Sequence, residues 1–162
     1  MEKSYWFLIF LGIIGLSGCL KNDNVEIDTG KQIQEQYTKD SILMSQFILD
    51  EAIDTSGVRA GVLYQIIEPG TGNHVYTANS KVTVKYQGRL LNGTVFDETE
   101  ETARIFTLGE LIGGWQIGLQ LIQPGGKIRL IVPSYYGYGT TPKADIPANS
   151  VLDFDIELIE VE

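Results

Sequence analysis

One stretch of helical spacing stands in a chain that otherwise alternates. Residues 111–122 read LIGGWQIGLQLI, and Trp115, Leu119 and Ile122 fall at i, i+4 and i+7, one face of a helix. Pro124, Gly125 and Gly126 follow and stop it after about two turns. Around it the apolar period is two. In 152–158, Leu152, Phe154, Ile156 and Leu158 alternate with Asp153, Asp155 and Glu157, so the four apolar residues are expected to face inward and the three acids outward. Val82, Val84 and Tyr86 alternate in the same way with Lys81, Thr83, Lys85 and Gln87. Ile128, Leu130 and Val132 share one face of 127–132. Further strands are expected over 61–67, 95–96 and 104–108, with Asn92-Gly93 as the tight turn of a hairpin. A lone short helix among strands buries its apolar stripe only by lying across their sheet. The pattern predicts an α+β domain over 58–162, with about five antiparallel strands, one short crossing helix, and the Trp115 indole at an opening between the two.

Ahead of this domain the chain changes character twice. Lys3 precedes an apolar run, YWFLIFLGIIGL, that gives way to Ser17, Gly18 and Cys19. A membrane-spanning helix needs roughly 20 apolar residues. This shorter run with small residues at its end has the pattern of a secretory leader over 1–18. The ending LSGC resembles the lipobox of bacterial lipoproteins, which implies acylation of Cys19 as the first mature residue and a lipid anchor in the cell envelope. Cys19 is the only cysteine, so no disulfide forms within the chain. Leu20 stands where an Asp is commonly associated with inner-membrane retention, which favours the outer membrane, facing the periplasm. Residues 19–39 are polar and lack a clear period, so they are expected to be a tether. Over 40–57, Leu43, Phe47, Ile48 and Ala52 recur at helical intervals, with Asp40 or Ser41 as the N-cap and Gly57 past the end. That helix is expected to pack on the domain or to pair with a second copy.

The residues that are scarce exclude several chemistries. With 12 basic against 21 acidic residues the net charge is −9, and no basic cluster suits a phosphate backbone, which argues against nucleic acid. His74 is the sole histidine and sits in a turn without Cys or His partners, so neither a zinc site nor a Ser-His or Cys-His nucleophile is expected. Gly125-Gly126-Lys127 lacks the rest of a phosphate loop. An aromatic inventory remains: Tyr86, Phe96, Trp115, Tyr135, Tyr136, Tyr138 and Phe154, with Asp97 directly after Phe96. Any one of these fills a core, but Trp115 after two glycines and Tyr138 inside the Gly-rich YYGYGTTP point to a binding pocket.

Taken in order, VKYQGRLLNGTVFDE at 84–98, FTLG at 106–109, LIGGWQIGLQLIQPGGKIRLIVPSYYGYG at 111–139 and IPANSVLDFDIELIEV at 146–161 resemble the FKBP-type peptidyl-prolyl cis-trans isomerases. The resemblance implies a twisted antiparallel sheet wrapped on the short helix. It implies rotation of X-Pro amides in peptides and in unfolded exported proteins, without covalent chemistry, metal or cofactor. Carried over residue by residue, it places Tyr86, Phe96 and Asp97 on one side of a pocket, Leu111 and Ile112 on another, Trp115 as the floor, and Tyr138, Ile146 and Phe154 as the remaining wall. Tyr86, Phe96, Asp97, Trp115, Tyr138 and Phe154 are the implied catalytic set, while Leu111, Ile112 and Ile146 hold the substrate, Ile112 through its backbone N–H. Two departures stand out. Segment 98–105 is short, and Arg104 falls where the family often has an aromatic at the pocket edge, so macrolide inhibitors are expected to bind less tightly or the residue preference around proline to differ. Loop 139–146 has no room for the chaperone domain inserted in some relatives. The alternatives are a catalytically weak proline-peptide binding module and a dimeric periplasmic chaperone.

Overall fold

The computed structural model describes residues 29–162. The leader, Cys19 and the first part of the expected tether lie outside the described residues. Among the described residues, seven strands form one antiparallel sheet: β1 (Gly57–Arg59), β2 (Val62–Glu68), β3 (Lys81–Leu90), β4 (Val95–Glu98), β5 (Arg104–Thr107), β6 (Gly126–Val132) and β7 (Leu152–Val161). Their order is β1-β2-β6-β7-β3-β4, and β5 also pairs with β3. The ten-residue β3 explains this arrangement. One edge runs along β7 from Val82 to Leu90, while the other is shared, β5 taking 81–84 and β4 taking 87–89. The six segments marked by the sequence pattern all form strands, and the seventh, three-residue β1, has no alternating signal of its own.

The inner face of this sheet holds the core. Val82, Val84, Ile128, Leu130, Val132, Leu152 and Leu158 have no exposed surface, and Phe154 and Ile156 have almost none. The crossing helix, α2, covers Gly113–Gly118 and tightens into a 3-10 turn at Leu119–Leu121. It is shorter than the 111–122 pattern suggests, but Trp115, Leu119 and Ile122 all point into the core as their spacing requires. Two glycines let it lie close. A Cβ on Gly114 would stand 2.4 Å from Val132 Cγ1, and one on Gly118 2.4 Å from Leu130 Cδ1, so both positions bring the helix backbone onto β6.

The outer face differs from the sequence-based expectation. The N-terminal helix α1 runs Thr29–Asp50, so residues 29–39, expected as tether, are helical, and Asp40 lies mid-helix rather than at its cap. Its Met44 packs on Ile131 and Val151, with Phe47, Ile48 and Leu63 around them, on the side of the sheet opposite α2. Leu43, expected on the packed face, is exposed instead. This cover also corrects Asp153. Expected to face solvent, it is wholly buried and accepts hydrogen bonds from Arg89 Nε at 2.7 Å and from Arg129 Nε and Nη2 at 2.9 and 2.8 Å. The Arg89 guanidinium also pairs with Asp155, and that of Arg129 lies 5.7 Å over the Phe47 ring. A carboxylate is buried here because two guanidiniums pair with it.

Candidate functional site

The site grows from the row of the sheet on which Leu130, Phe154 and Gly88 stand side by side. Side chains on one face of neighbouring strands at one register meet. Gly88 has none, and the space is taken by two rings: a Cβ there would lie 2.7 Å from Phe154 Cε1 and 2.8 Å from Phe96 Cε2 and Cζ. Phe96 arrives on β4 and packs edge-on against Phe154, centroids 5.6 Å apart and planes at 85°. On the next inward row Tyr86 projects from β3. Trp115, brought down by α2, meets three rings edge to face: Tyr86 at 4.9 Å, Phe154 at 5.4 Å and Phe106 at 6.1 Å. Such T-shaped pairs are a favoured aromatic geometry, worth about 0.5–1.5 kcal/mol each beyond burial. The indole Nε1–H is buried with no acceptor among the described residues, so packing alone fixes the ring.

These residues enclose a recess of about 210 Å3, lined by Tyr86, Phe96, Asp97, Phe106, Glu110, Leu111, Ile112, Trp115, Tyr138 and Phe154. Eight of the nine pocket residues carried over from the sequence meet in it. Ile146 does not line it. The Lys143–Ile146 bridge folds its loop back and leaves Ile146 6% exposed in the core. Phe106 and Glu110 were not expected. The alternation of β5 points to Phe106, whose ring packs edge-on against Trp115.

One side of the rim is a hydrogen-bonded polar cluster. Tyr86 Oη donates to Asp97 Oδ2 at 2.5 Å, and Arg104 Nη1 donates to Tyr86 Oη at 2.9 Å and to Asp97 Oδ1 at 3.0 Å. Arg104 Nη2 reaches the Glu98 carbonyl at 3.0 Å, tying β5 to β4. Burial, then the Asp97 carboxylate, pushes the Tyr86 phenol well above its ordinary pKa, with Arg104 opposing. The short 98–105 segment is anchored on the same tyrosine. Thr99 Oγ1 accepts from Tyr86 N at 2.9 Å, and Thr99 N donates to Tyr86 O at 3.0 Å.

Two residues that line this recess carry a donor left unpaired among the described residues. Ile112 is the N-cap of α2, so its carbonyl accepts from Trp115 and Gln116 while its own N–H precedes the helix and has no partner. Tyr138 Oη likewise has none, and burial, then Asp97, raises its pKa. An aromatic floor and walls with two free donors at the mouth can hold an apolar ring joined to a peptide carbonyl. Among the described residues there is no cluster of His, Cys, Asp and Glu able to hold a metal. None of their helices is long and apolar enough to cross a membrane.

Comparison with known proteins identifies the family of the chain. Residues 72–159 match a family model described as FKBP-type peptidyl-prolyl cis-trans isomerase. The chain is 37% identical over 172 residues to the FKBP-type peptidyl-prolyl cis-trans isomerase FkpA of Buchnera aphidicola subsp. Schizaphis graminum, covering 95% of this chain and 68% of that one. Among solved structures it is similar to FkpA from Escherichia coli, with a TM-score of 0.68 and 31% identity over 82% of this chain and 64% of that one. It is equally similar, at TM-score 0.68 and 33% identity, to a peptidyl-prolyl cis-trans isomerase from Pseudomonas syringae pv. tomato, covering 80% of this chain and 95% of that one. The chain thus spans nearly the whole of the Pseudomonas protein and about two thirds of the two longer relatives.

Proposed function

The chain belongs to the FKBP-type peptidyl-prolyl cis-trans isomerases, and from that premise we propose that its aromatic recess speeds rotation about X-Pro amides by desolvation and positioning alone. The observation that carries this reading is the Trp115 floor, held edge-on by Tyr86, Phe106 and Phe154 beneath the unpaired Ile112 N–H and Tyr138 Oη.

The barrier to be lowered is roughly 18–20 kcal/mol and arises from C–N double-bond character. Uncatalysed X-Pro exchange takes tens to hundreds of seconds. The planar amide carries more charge on its oxygen than the twisted one, and water stabilises the planar form by hydrogen bonding that oxygen. A proline ring seated on the indole leaves the water behind, so the planar ground state loses more than the twisted transition state. Each 1.4 kcal/mol or so of that difference is a tenfold rate gain. The Ile112 N–H holds the substrate backbone through a carbonyl, and Tyr138 Oη donates to the prolyl-amide oxygen where rotation carries it. The raised pKa of Tyr138 keeps that proton in place near neutral pH. An ionised Asp97 accepts only, so it does not bond a carbonyl. Its role is to fix Tyr86 and Arg104, and with them the polar rim.

Proline-containing segments of exported proteins are the proposed substrates, and macrolides are candidate inhibitors of the same recess. The leader pattern and LSGC ending support acylation of Cys19 and a place in the cell envelope, on the outer membrane facing the periplasm. Cys19→Ser is expected to abolish lipid labelling and release the protein, and unchanged membrane retention would refute the anchor. For the reaction itself, Tyr138→Phe and Asp97→Val are each expected to slow isomerisation of an X-Pro peptide by about tenfold or more, with folding intact by circular dichroism. Wild-type rates in both would remove the proposed roles.

A further inference from the structure

Tyr138 owes its place to a contact outside the family-matched segment. Asp40, in the middle of α1, is a buried carboxylate, 1% exposed. Its Oδ2 accepts from Ser134 N at 2.8 Å and from Ser134 Oγ at 2.7 Å, while Oδ1 accepts from Gln36 Nε2 at 2.7 Å. A carboxylate that buries itself needs such donors, and two of the three come from one residue of the loop after β6. Ser134, itself 2% exposed, then turns its carbonyl the other way. Ser134 O accepts from Gly137 N at 3.0 Å and Gly139 N at 2.9 Å, the two residues that bracket Tyr138. The route from α1 to the recess is therefore three links long: Asp40 to Ser134, Ser134 to Gly137 and Gly139, and these to the backbone of Tyr138. Beyond the Ser134 carbonyl, the backbone hydrogen bonds that hold this part of the loop among the described residues are those from Asn149 N to Gly139 O at 2.8 Å and from Thr141 N to Tyr138 O at 3.3 Å, while the Tyr138 ring packs on the core.

We infer that Asp40 is a positioning residue for isomerisation, holding the Tyr138 hydroxyl over the recess through Ser134, so that α1 is part of the working enzyme although it lies outside residues 72–159, which match the family model. This rests on the role proposed for Tyr138 and assigns the helix a part in it. An error of about 1 Å in a group that acts on the transition state costs up to a hundredfold in rate, whereas ground-state binding on the Trp115 floor is untouched. The signature is therefore a fall in kcat with little change in KM.

The experiment is a double-mutant cycle in the full chain, read as kcat and KM for an X-Pro peptide well below the melting temperature of each variant. Asp40→Ala is expected to lower kcat on the order of tenfold, and Ser134→Ala by less, because Ser134 N still reaches the carboxylate. Asp40→Asn should restore most of the rate, since its carbonyl oxygen accepts from both Ser134 donors and Gln36 can turn its amide. In a Tyr138→Phe background the Asp40→Ala loss should shrink to less than about twofold. If the two losses instead multiply, or if Asp40→Ala lowers only the melting temperature, Asp40 is structural and the inference is overturned. Should Asp40→Ala fail to fold, Ser134→Ala carries the same test against Tyr138→Phe. Wild-type turnover in Tyr138→Phe alone would overturn the role of Tyr138 instead, so the two failures are distinguishable.

Discussion

Gly88→Ala is the substitution whose effect can be worked most directly from the geometry. The added methyl would sit 2.7 Å from Phe154 Cε1 and 2.8 Å from two atoms of Phe96. Carbon pairs rest at about 3.5–4.0 Å, so each ring must retreat by about 1 Å. Phe154 is 3% exposed and pinned on Trp115, so it cannot give way cheaply. Phe96, half-buried on the short β4, is the ring that moves, and it moves off the wall of the recess. Overpacking of this size costs about 1–3 kcal/mol of stability. A displaced wall readmits water over the substrate amide, and a shift of about 1 Å is worth up to a hundredfold in rate. The variant is expected to lose about ten- to a hundredfold in kcat/KM while remaining folded. The assay is protease-coupled isomerisation of an X-Pro peptide at a temperature where circular dichroism reports full folding. Phe96→Leu in the same chain should recover part of the loss by making room for the methyl. A lowered melting temperature with wild-type kcat/KM would refute the reasoning, because the recess would then not depend on the close approach that Gly88 allows.

Two further outcomes follow from other parts of the molecule. Asp153→Ala would leave Arg89 and Arg129 beneath α1 without their shared carboxylate, at a cost of about 1–3 kcal/mol by thermal or urea unfolding because Arg89 keeps Asp155; an unchanged midpoint would contradict it. Tyr86, Tyr138 and Tyr76 all bind their protons more tightly when folded than the ordinary 10.0. Folded and unfolded chains are equally protonated at these sites below that pH, so stability and turnover should not respond to the three tyrosines between neutral pH and about 9. Above about 10 the unfolded chain loses these protons first, so the tyrosine contribution to stability falls as pH rises through the folded values. A tyrosine-linked titration of kcat below pH 9 would run against it.

Period-two alternation made the inner face legible, because each strand carries its own record of which side is apolar. Val82, Val84, Ile128, Leu130, Leu152 and Ile156 are buried where that pattern puts them. The helical triplet Trp115, Leu119 and Ile122 was equally legible, and it located the recess. The outer face was not, because its cover is a separate helix. Asp153 looks like a solvent residue until α1 lies over it with Arg89 and Arg129 alongside, and no local pattern announces a pairing between residues 24 and 64 positions apart. The same holds for Asp40, which reads as an N-cap in sequence and is in fact the acceptor for Ser134, 94 residues away. Polar residues 29–39 concealed the first turns of α1 because one helix face rests on little and the other faces water. Gly88 carries a signal of its own in the sequence. A glycine in the middle of a cleanly alternating strand marks a place where another group comes close, and here two phenyl rings do.

The central claim is that an aromatic recess turns an X-Pro amide faster than water allows, rather than merely binding proline. The direct measurement is cis-trans exchange of a short X-Pro peptide series by NMR exchange spectroscopy, with catalytic amounts of the purified protein and no protease present. Exchange should pass from tens or hundreds of seconds to well under a second, and should slow again with Tyr138→Phe. Peptide resonances that shift on binding while their exchange rate stays at the uncatalysed value would contradict the claim and leave a proline-binding module.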